Sequence, residues 1–392
     1  MTGFIRLPIA ELVIDEKCTN AISVDDEVWN LNLDQIERDS GKVLEKRRVC
    51  VGDLGPSTYP FTAGTVLYSK LRPYLNKVVL ADEHGYATTE LVSLRCNSDK
   101  VYAPYLAHYL RAPEFLNFAN RVVAGAKMPR MVMSEFWRFA VPVPPLPEQR
   151  RIAALLDKAN ALRAKRFESL VQLDLLTHSI FVEMFGDPSA EDGKFQLRPL
   201  LTLVEDGFQN GAYFPKEKYS DDGVEMVHMS DAFGGIIERG GLKRVDCDQK
   251  VVDKYSLTPD DLIIARRSLT YEGAAKPCMV PEADEALIFE SSFIRVRPIK
   301  SLVSPLYLFH YLNNKRVRER FVRPYVTQST ISGINQSNLA KIPVAVPPVD
   351  LQVEFSAVMG QLEKIRERIV KASKHDDFLF SSLQHRAFCG EF

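Results

Sequence analysis

Cysteine is scarce in this chain, with six in 392 residues at positions 18, 50, 96, 247, 278 and 389. No two are close enough for a CxxC pair, so neither a zinc site nor a thioredoxin-like redox motif is indicated. Thiols this thinly spread imply a reducing compartment and side chains that are free and mostly buried. Net charge is equally scarce, since 50 basic against 51 acidic side chains leave −1. That removes the simplest argument for an autonomous nucleic-acid binder, but not for local basic patches. No uninterrupted apolar run approaches the roughly 18 residues of a membrane span. Met1-Thr2-Gly3-Phe4-Ile5-Arg6 lacks the basic n-region and apolar stretch of a signal peptide. The expectation is a cytoplasmic protein without a membrane partner, and the length implies two or three domains.

Catalytic signatures are missing too. Ser40-Gly41-Lys42-Val43 has neither the hydroxyl after lysine nor the upstream glycine of a phosphate-binding loop. Gly234-Gly235 and Gly240-Gly241 are turn glycines and not a dinucleotide fingerprint. There is no HExxH, His375 and His385 are wrongly spaced for shared metal ligation, and no GxSxG elbow occurs. The pairs Asp25-Asp26, Asp221-Asp222, Asp260-Asp261 and Asp376-Asp377 fit turn or helix-surface acids better than catalysis, because adjacent side chains rarely converge. No catalytic, metal or cofactor residue is assigned.

What the sequence does contain is a repeat. Val141-Pro142-Val143-Pro144-Pro145-Leu146-Pro147-Glu148-Gln149 recurs, 203 residues later, as Val344-Ala345-Val346-Pro347-Pro348-Val349-Asp350-Leu351-Gln352. Upstream, Ser134-Glu135-Phe136 meets Ser337-Asn338-Leu339, and Tyr105-Leu106-Ala107-His108-Tyr109-Leu110 meets Tyr307-Leu308-Phe309-His310-Tyr311-Leu312. Earlier still, Thr65-Val66-Leu67-Tyr68-Ser69-Lys70 resembles Asp261-Leu262-Ile263-Ile264-Ala265-Arg266. One ordered unit is used twice.

Each Pro-Pro mark resists helix, and the residues just beyond it favour one. Proline fixes φ and holds its predecessor extended. Pro147 then suits a first helical turn, and Asp350 suits the same place through capping and the helix dipole. Beyond each mark a heptad stripe runs for about four repeats. In the first copy it takes Ile152, Leu155, Ala159, Leu162, Leu173, Leu176 and Ile180, interrupted at Arg166 and Ser169. In the second it takes Phe355, Val358, Leu362, Ile365, Ile369, Ala372, Leu379 and Leu383, interrupted at Asp376. A helix over 151–184 would be roughly 50 Å long. Two such stripes in one chain most simply bury each other as an antiparallel coiled-coil pair; the alternative is that each packs on its own globular domain. Arg150, Arg151, Arg163 and Arg166 suit solvent-facing or interhelical charges, and Arg166 could specify register. Glu148 and Gln149 are expected as helix-start residues, and Trp29 and Trp137 as core.

The regions before each mark carry β-type runs at 78–80, 91–94, 262–264 and 293–296, turn clusters at 52–56 and 221–223, and helical pieces at 102–110 and 306–320. Strands first and helices later is an α+β pattern. The expected division is a globular domain over 1–143, a helical spacer over 144–186, a second globular domain over 187–346 and a second spacer over 347–392.

With Pro-Pro-Leu-Pro-Glu-Gln-Arg-Arg-Ile at 144–152 opening a long helix, and its echo at 347–355, the chain resembles the DNA-specificity subunit of type I restriction–modification systems. The likeness covers nearly the whole length. Asp206-Gly207-Phe208-Gln209-Asn210-Gly211 and Val224-Glu225-Met226-Val227-His228-Met229-Ser230-Asp231 add to it, while Trp29-Asn30-Leu31 is a weaker match. Val349-Asp350-Leu351-Gln352 departs from Leu-Pro-Glu-Gln, which bears on equivalent partner contacts at the two helices. The resemblance implies a non-catalytic reader of double-stranded DNA with no cofactor of its own. Each globular domain would be a target-recognition domain reading half of a bipartite site. Methyltransferase subunits would supply S-adenosylmethionine chemistry, and restriction/motor subunits ATP and magnesium. A stiff helical spacer would fix the separation of the half-sites, as a flexible linker could not.

Base reading needs donors and acceptors on exposed loops. Candidates are Lys70, Arg72, Tyr74, Asn76, Lys127 and Arg130 in the first domain, and Arg266, Arg267, Ser268, Tyr271, Lys276, Gln328, Ser329 and Thr330 in the second. Any of them could instead contact phosphate or belong to a merely solvated loop. Competing readings are a stand-alone DNA-binding or adaptor protein of the same architecture, an enzyme with an unrecognised site, and a plain dimerisation element.

Overall fold

The computed structural model describes residues 4–14, 23–188, 190, 193–328 and 331–391. The chain forms two compact units, Met1–Glu168 with Val370–Phe392, and Ser169–Ile369. Each is an α+β head joined to parts of two long helices.

In the first unit, Glu27–Leu31, Arg48–Cys50, Thr58–Phe61 and Gly85–Thr88 form one sheet, and Val66–Ser69, Val78–Leu80 and Leu91–Leu94 another. All four residues of Val66–Ser69 are buried, as a central strand rich in apolar and aromatic side chains requires. Ile5–Pro8 pairs antiparallel with Ala140–Val143 and closes the unit beside the Pro-Pro mark. Helices Ala103–Arg111 and Pro113–Arg121 each carry proline in the first turn. Their Tyr105, Tyr109 and Phe115 join Phe136 in the core. Trp29 is buried edge-on to Phe61, with ring centroids 5.3 Å apart; Trp137 is half-buried.

The second unit repeats the plan. Val204–Asn210, Phe293–Pro298, Leu262–Ala265 and Pro277–Met279 form one sheet, and Lys243–Val245, Tyr219–Val227 and Leu287–Phe289 another. Leu197–Pro199 pairs with Pro343–Ala345, as Ile5–Pro8 does with its counterpart. Asp221-Asp222-Gly223 is not the expected turn. It lies within Tyr219–Val227, where the register shifts between Tyr219 and Val224. A Cβ on Gly223 would sit 2.4 Å from the Val245 backbone, so glycine permits this bulge to lie against its neighbour. Nor is Asp261 a surface acid. It is fully buried, accepts from the Thr258 N–H, and takes two 2.7 Å bonds from the Arg297 guanidinium. Of the described thiols only Cys278 is fully buried, Cys389 is exposed and the other three are intermediate. Burial pushes the Cys96 and Cys278 thiols up to about 12.

The long helices span Leu146–Phe185 and Val349–Cys389. Both start on the same joint. Gln149 is buried; its Oε1 accepts from Tyr102 N at 2.7 Å, and its Nε2 donates to Lys100 O and Pro144 O. Gln352 accepts from Ser304 N at 2.8 Å and donates to Leu302 O and Pro347 O. Tyr105 and Tyr307 each donate a 2.8 Å hydroxyl bond to Pro142 O and Ala345 O, beside the Pro-Pro marks. The repeated glutamine is thus a three-bond clamp between head and helix, more than a helix-start residue.

The helices pack antiparallel within each unit. In the first, Ile152 and Leu156 share a core with Phe380, Ala387 and Phe388. Arg163 lies over the Phe380 ring and donates to Asp377 at 2.7 Å, and Arg166 pairs with Asp376. In the second, Phe181 and Phe185 pack against Phe355, and Arg366 pairs with Asp174. One column of the expected stripe, Ile152/Ala159/Arg166/Leu173/Ile180, faces inward, but the other is displaced by one residue. Leu156, Arg163, Leu170 and Thr177 line the seam, whereas Leu162, Ser169 and Leu176 are exposed and Leu155 is less buried than Leu156. On the second helix Met359, Arg366 and Phe380 take the places expected for Val358, Ile365 and Leu379, which are exposed, while Ala372 and Ser373 are both half-buried.

Candidate nucleic-acid interface

In the first unit the strand Val66–Ser69 runs out into Lys70-Leu71-Arg72-Pro73-Tyr74. Arg72 has φ 50°, an uncommon conformation for any residue with a side chain, which turns the chain sharply before Pro73. This loop is fastened along its length to a hairpin, Val123–Ala124 with Arg130–Met131. Met131 N donates to Lys70 O at 2.8 Å, Arg72 N donates to Pro129 O at 2.7 Å, and Leu71 bridges Arg130. Gly125, at φ 90°, turns the hairpin, and Lys127 stands exposed near its tip. Two segments some 60 residues apart in sequence thereby form one ribbon carrying Lys70, Arg72, Tyr74, Lys127 and Arg130.

Asn76 is not on that surface. It is 6% exposed, has φ 50°, and its Nδ2 donates to Arg111 O, so it ends a tight turn. Glu90, which sequence reasoning passed over, is on it. Its backbone oxygen accepts from Lys70 N at 3.0 Å, and its carboxylate takes Arg130 Nε at 3.2 Å and Nη2 at 2.9 Å. The Arg130 guanidinium holds the Glu90 carboxyl below its usual range, with Lys70 adding to the pull.

The second unit builds the same ribbon. Leu262–Ala265 continues into Arg266-Arg267-Ser268, which pairs with Ser332–Gly333 in the register Arg267↔Gly333 and Ser268↔Ser332. Ile334 N donates to Arg266 O at 3.0 Å, and Thr327 and Gly333 exchange backbone bonds of 2.8 and 3.0 Å. A concavity of about 360 Å³ opens between Arg266, Arg267, Thr327, Ile331 and Asn335. The Arg267 side chain is exposed with no hydrogen-bond or ion-pair partner among the described residues, and Gln328, next to Thr327 in sequence, is exposed too. Ser329 and Thr330 lie outside the described residues.

Other candidates serve the loop itself. Ser268 Oγ accepts from Thr270 N, the Tyr271 hydroxyl donates to Arg323 O under the Arg323 guanidinium, and Lys276 Nζ reaches Phe233 O at 3.4 Å. Arg318 fixes the loop from below, donating to the carbonyls of Glu272, Ala274 and Ala275. Sequence reasoning missed it because its partners lie 43 to 46 residues away. No cluster of three or more metal-ligating side chains occurs among the described residues. None of their helices is long and apolar enough to cross a membrane.

Two α+β heads of one plan, each clamped by a buried glutamine to a long helix, define an internally duplicated protein whose halves present matching basic ribbons. Residues 32–169 and 197–375 match the family described as "Type I restriction modification DNA specificity domain", and the chain belongs to that family. It is 22% identical over 312 residues to the type I restriction enzyme EcoKI specificity subunit of Escherichia coli (strain K12), covering 74% of this chain and 66% of that protein. It is likewise 22% identical over 311 residues to the StySPI specificity subunit of Salmonella potsdam, covering 75% and 66%. The chain therefore spans just under two thirds of the length of these relatives. Among solved structures, the type-I restriction-modification system S subunit from M. genitalium superposes with a TM-score of 0.56 at 12% identity, over 98% of this chain and 96% of that one. A chain from a study of complex assembly and conformational transition of the type I R-M system gives 0.58 at 16%, over 100% and 99%. At these identities the structures support the shared fold alone.

Proposed function

We propose that this chain is the non-catalytic DNA-recognition subunit of a type I restriction–modification complex. The observation that carries the reading is the ribbon built twice, a loop leaving a buried strand and fastened to a hairpin, with exposed arginine on the loop in each copy, Arg72 in the first and Arg267 in the second. Residues 1–143 and 187–346 act as recognition domains, each reading one half of a bipartite duplex site. Lys70, Arg72, Tyr74, Lys127 and Arg130 meet one half, and Arg266, Arg267 and Gln328 the other, through base edges and phosphates together. The helical segments 144–186 and 347–392 set the spacer between the halves.

Methyltransferase subunits, which bring S-adenosylmethionine, dock on those helices, and restriction/motor subunits using ATP and magnesium complete the complex. Exposed apolar side chains on the helices support a docking role: Leu162, Phe167 and Leu175 on the first, Val353, Ile365 and Phe378 on the second. The near-neutral net charge fits a reader whose partners share the DNA-enclosing surface.

Genome-wide mapping of methylated adenines tests the assignment of ribbons to halves. Arg266→Ala with Arg267→Ala relaxes or abolishes one half of the methylated motif and leaves the other half intact; Lys127→Ala with Arg72→Ala does the converse. A motif that is indifferent to both pairs, or that loses both halves with either, contradicts it.

A further inference from the structure

The two ribbons share a backbone but not their chemistry at one position. In the first unit, the rung beside Lys70 and Leu71 carries Arg130 on one side and Glu90 on the other. In the second, the matching backbone bonds place Gly333 opposite Arg267 and Ser292 beside Arg266, so neither the arginine nor the carboxylate has a counterpart. A carboxylate on a surface that faces phosphates opposes binding, so its presence there calls for a specific role. Its geometry supplies one.

Glu90 engages the Nε/Nη2 edge of Arg130 with both oxygens, which fixes the plane of the guanidinium. The fork end, Nη1 with the second Nη2 hydrogen, is left pointing away from the carboxylate, and Nη1 has no partner among the described residues. Both side chains are anchored on the same rigid rungs, since Glu90 O accepts from Lys70 N and Met131 N donates to Lys70 O. A fork held this way matches the paired acceptors O6 and N7 that guanine presents in the major groove.

We propose that Arg130 is a guanine-reading residue of the first recognition domain and that Glu90 is its positioning residue. The inference rests on the chain being a DNA reader as proposed above, and adds the base and the two side chains. By the same comparison, the second half-site is read without such a buttressed arginine.

The test is selection of a randomised duplex library by the full chain together with the subunits that co-purify with it, sequenced for wild type, Arg130→Ala, Arg130→Lys and Glu90→Gln. Wild type selects a two-part motif. Arg130→Ala lowers the preference for guanine at one position of one half by about tenfold or more, and leaves the other half as an internal control of folding. Arg130→Lys keeps the charge but loses the fork, so the same position relaxes. Glu90→Gln weakens that same guanine preference without reducing the salt dependence of binding. Uniform weakening over all sequences by Arg130→Ala, with the salt slope reduced by about one, would make it a phosphate contact and overturn the proposal. So would an unchanged motif in all three variants. A wild type that selects no motif at all sinks the reader assignment itself, and this inference with it.

Discussion

At the scale of single residues, the repeat places the same side chain at equivalent helix positions twice, and the histidines show how differently the two surroundings act on it. His108 and His310 occupy equivalent positions on the helices Ala103–Arg111 and Pro305–Asn313. Burial lowers the His108 imidazole against the pull of Asp157, whose Oδ1 lies 2.6 Å from Nε2. His310 has no such carboxylate among the described residues. It packs edge-on to Phe355, and burial, with Arg366 nearby, holds it down to about 4. The folded unit therefore keeps His310 neutral where the unfolded chain takes a proton near 6.5. Stability is full above that value and falls as the pH drops from about 6.5 toward 4. His310→Phe removes that slope, a difference of about 2 kcal/mol at pH 4.5 relative to pH 7.5, checked by denaturant unfolding at the two values. An unchanged pH dependence would mean that His310 is protonated in the fold.

Gln149 and Gln352 show the limit of reading at this scale. The sequence marks them as repeated and places them at a helix start, but two of the three partners of each lie 47 to 50 residues upstream, and nothing local announces those.

At the scale of elements, the helices were legible and their seam was half legible. Proline, heptad spacing and length announce both helices. The facing column is ambiguous wherever two apolar residues adjoin, as at Leu155-Leu156, Leu175-Leu176 and Val358-Met359. Hydrophobic matching favours the column with more leucines, yet the structure turns Arg163, Arg166, Arg366 and Asp376 inward as ion pairs and leaves Leu162 and Leu176 about half exposed. The criterion fails because ion pairs fill the seam in this stretch, and the apolar side chains left on the outer face are the ones proposed to dock a partner. Leu156→Ala should cost about 2–5 kcal/mol of unit stability, while Leu162→Ala should stay within about 0.5 kcal/mol and instead weaken co-purification with a methyltransferase subunit. Thermal unfolding of both variants separates the two columns, and equal losses would restore the one expected from hydrophobicity.

At the scale of the whole molecule, duplication was the most legible property, because an offset of about 203 residues needs no knowledge of contacts. The loop at 69–74 followed from a strand end and proline, and the one at 266–271 from its match to the first in the repeat. That each joins a hairpin into one ribbon did not, since the pairing of Arg72 with Pro129, or Arg267 with Gly333, is long-range. Glu90 was invisible for the same reason. The proposal at this scale is that both long helices, running through both units, act as one ruler for two readers. Antiparallel pairing means that a one-sided deletion breaks the seam, so a fair test removes facing heptads together, residues 163–169 with 373–379.

The most direct measurement is a genome-wide map of adenine methylation made with this matched-deletion variant in place of the wild-type chain. Removing seven residues shortens a helix by about 10 Å, close to three base pairs of duplex, so the account predicts the same two half-sites around a spacer about three base pairs shorter. The same halves at the original spacing would contradict it.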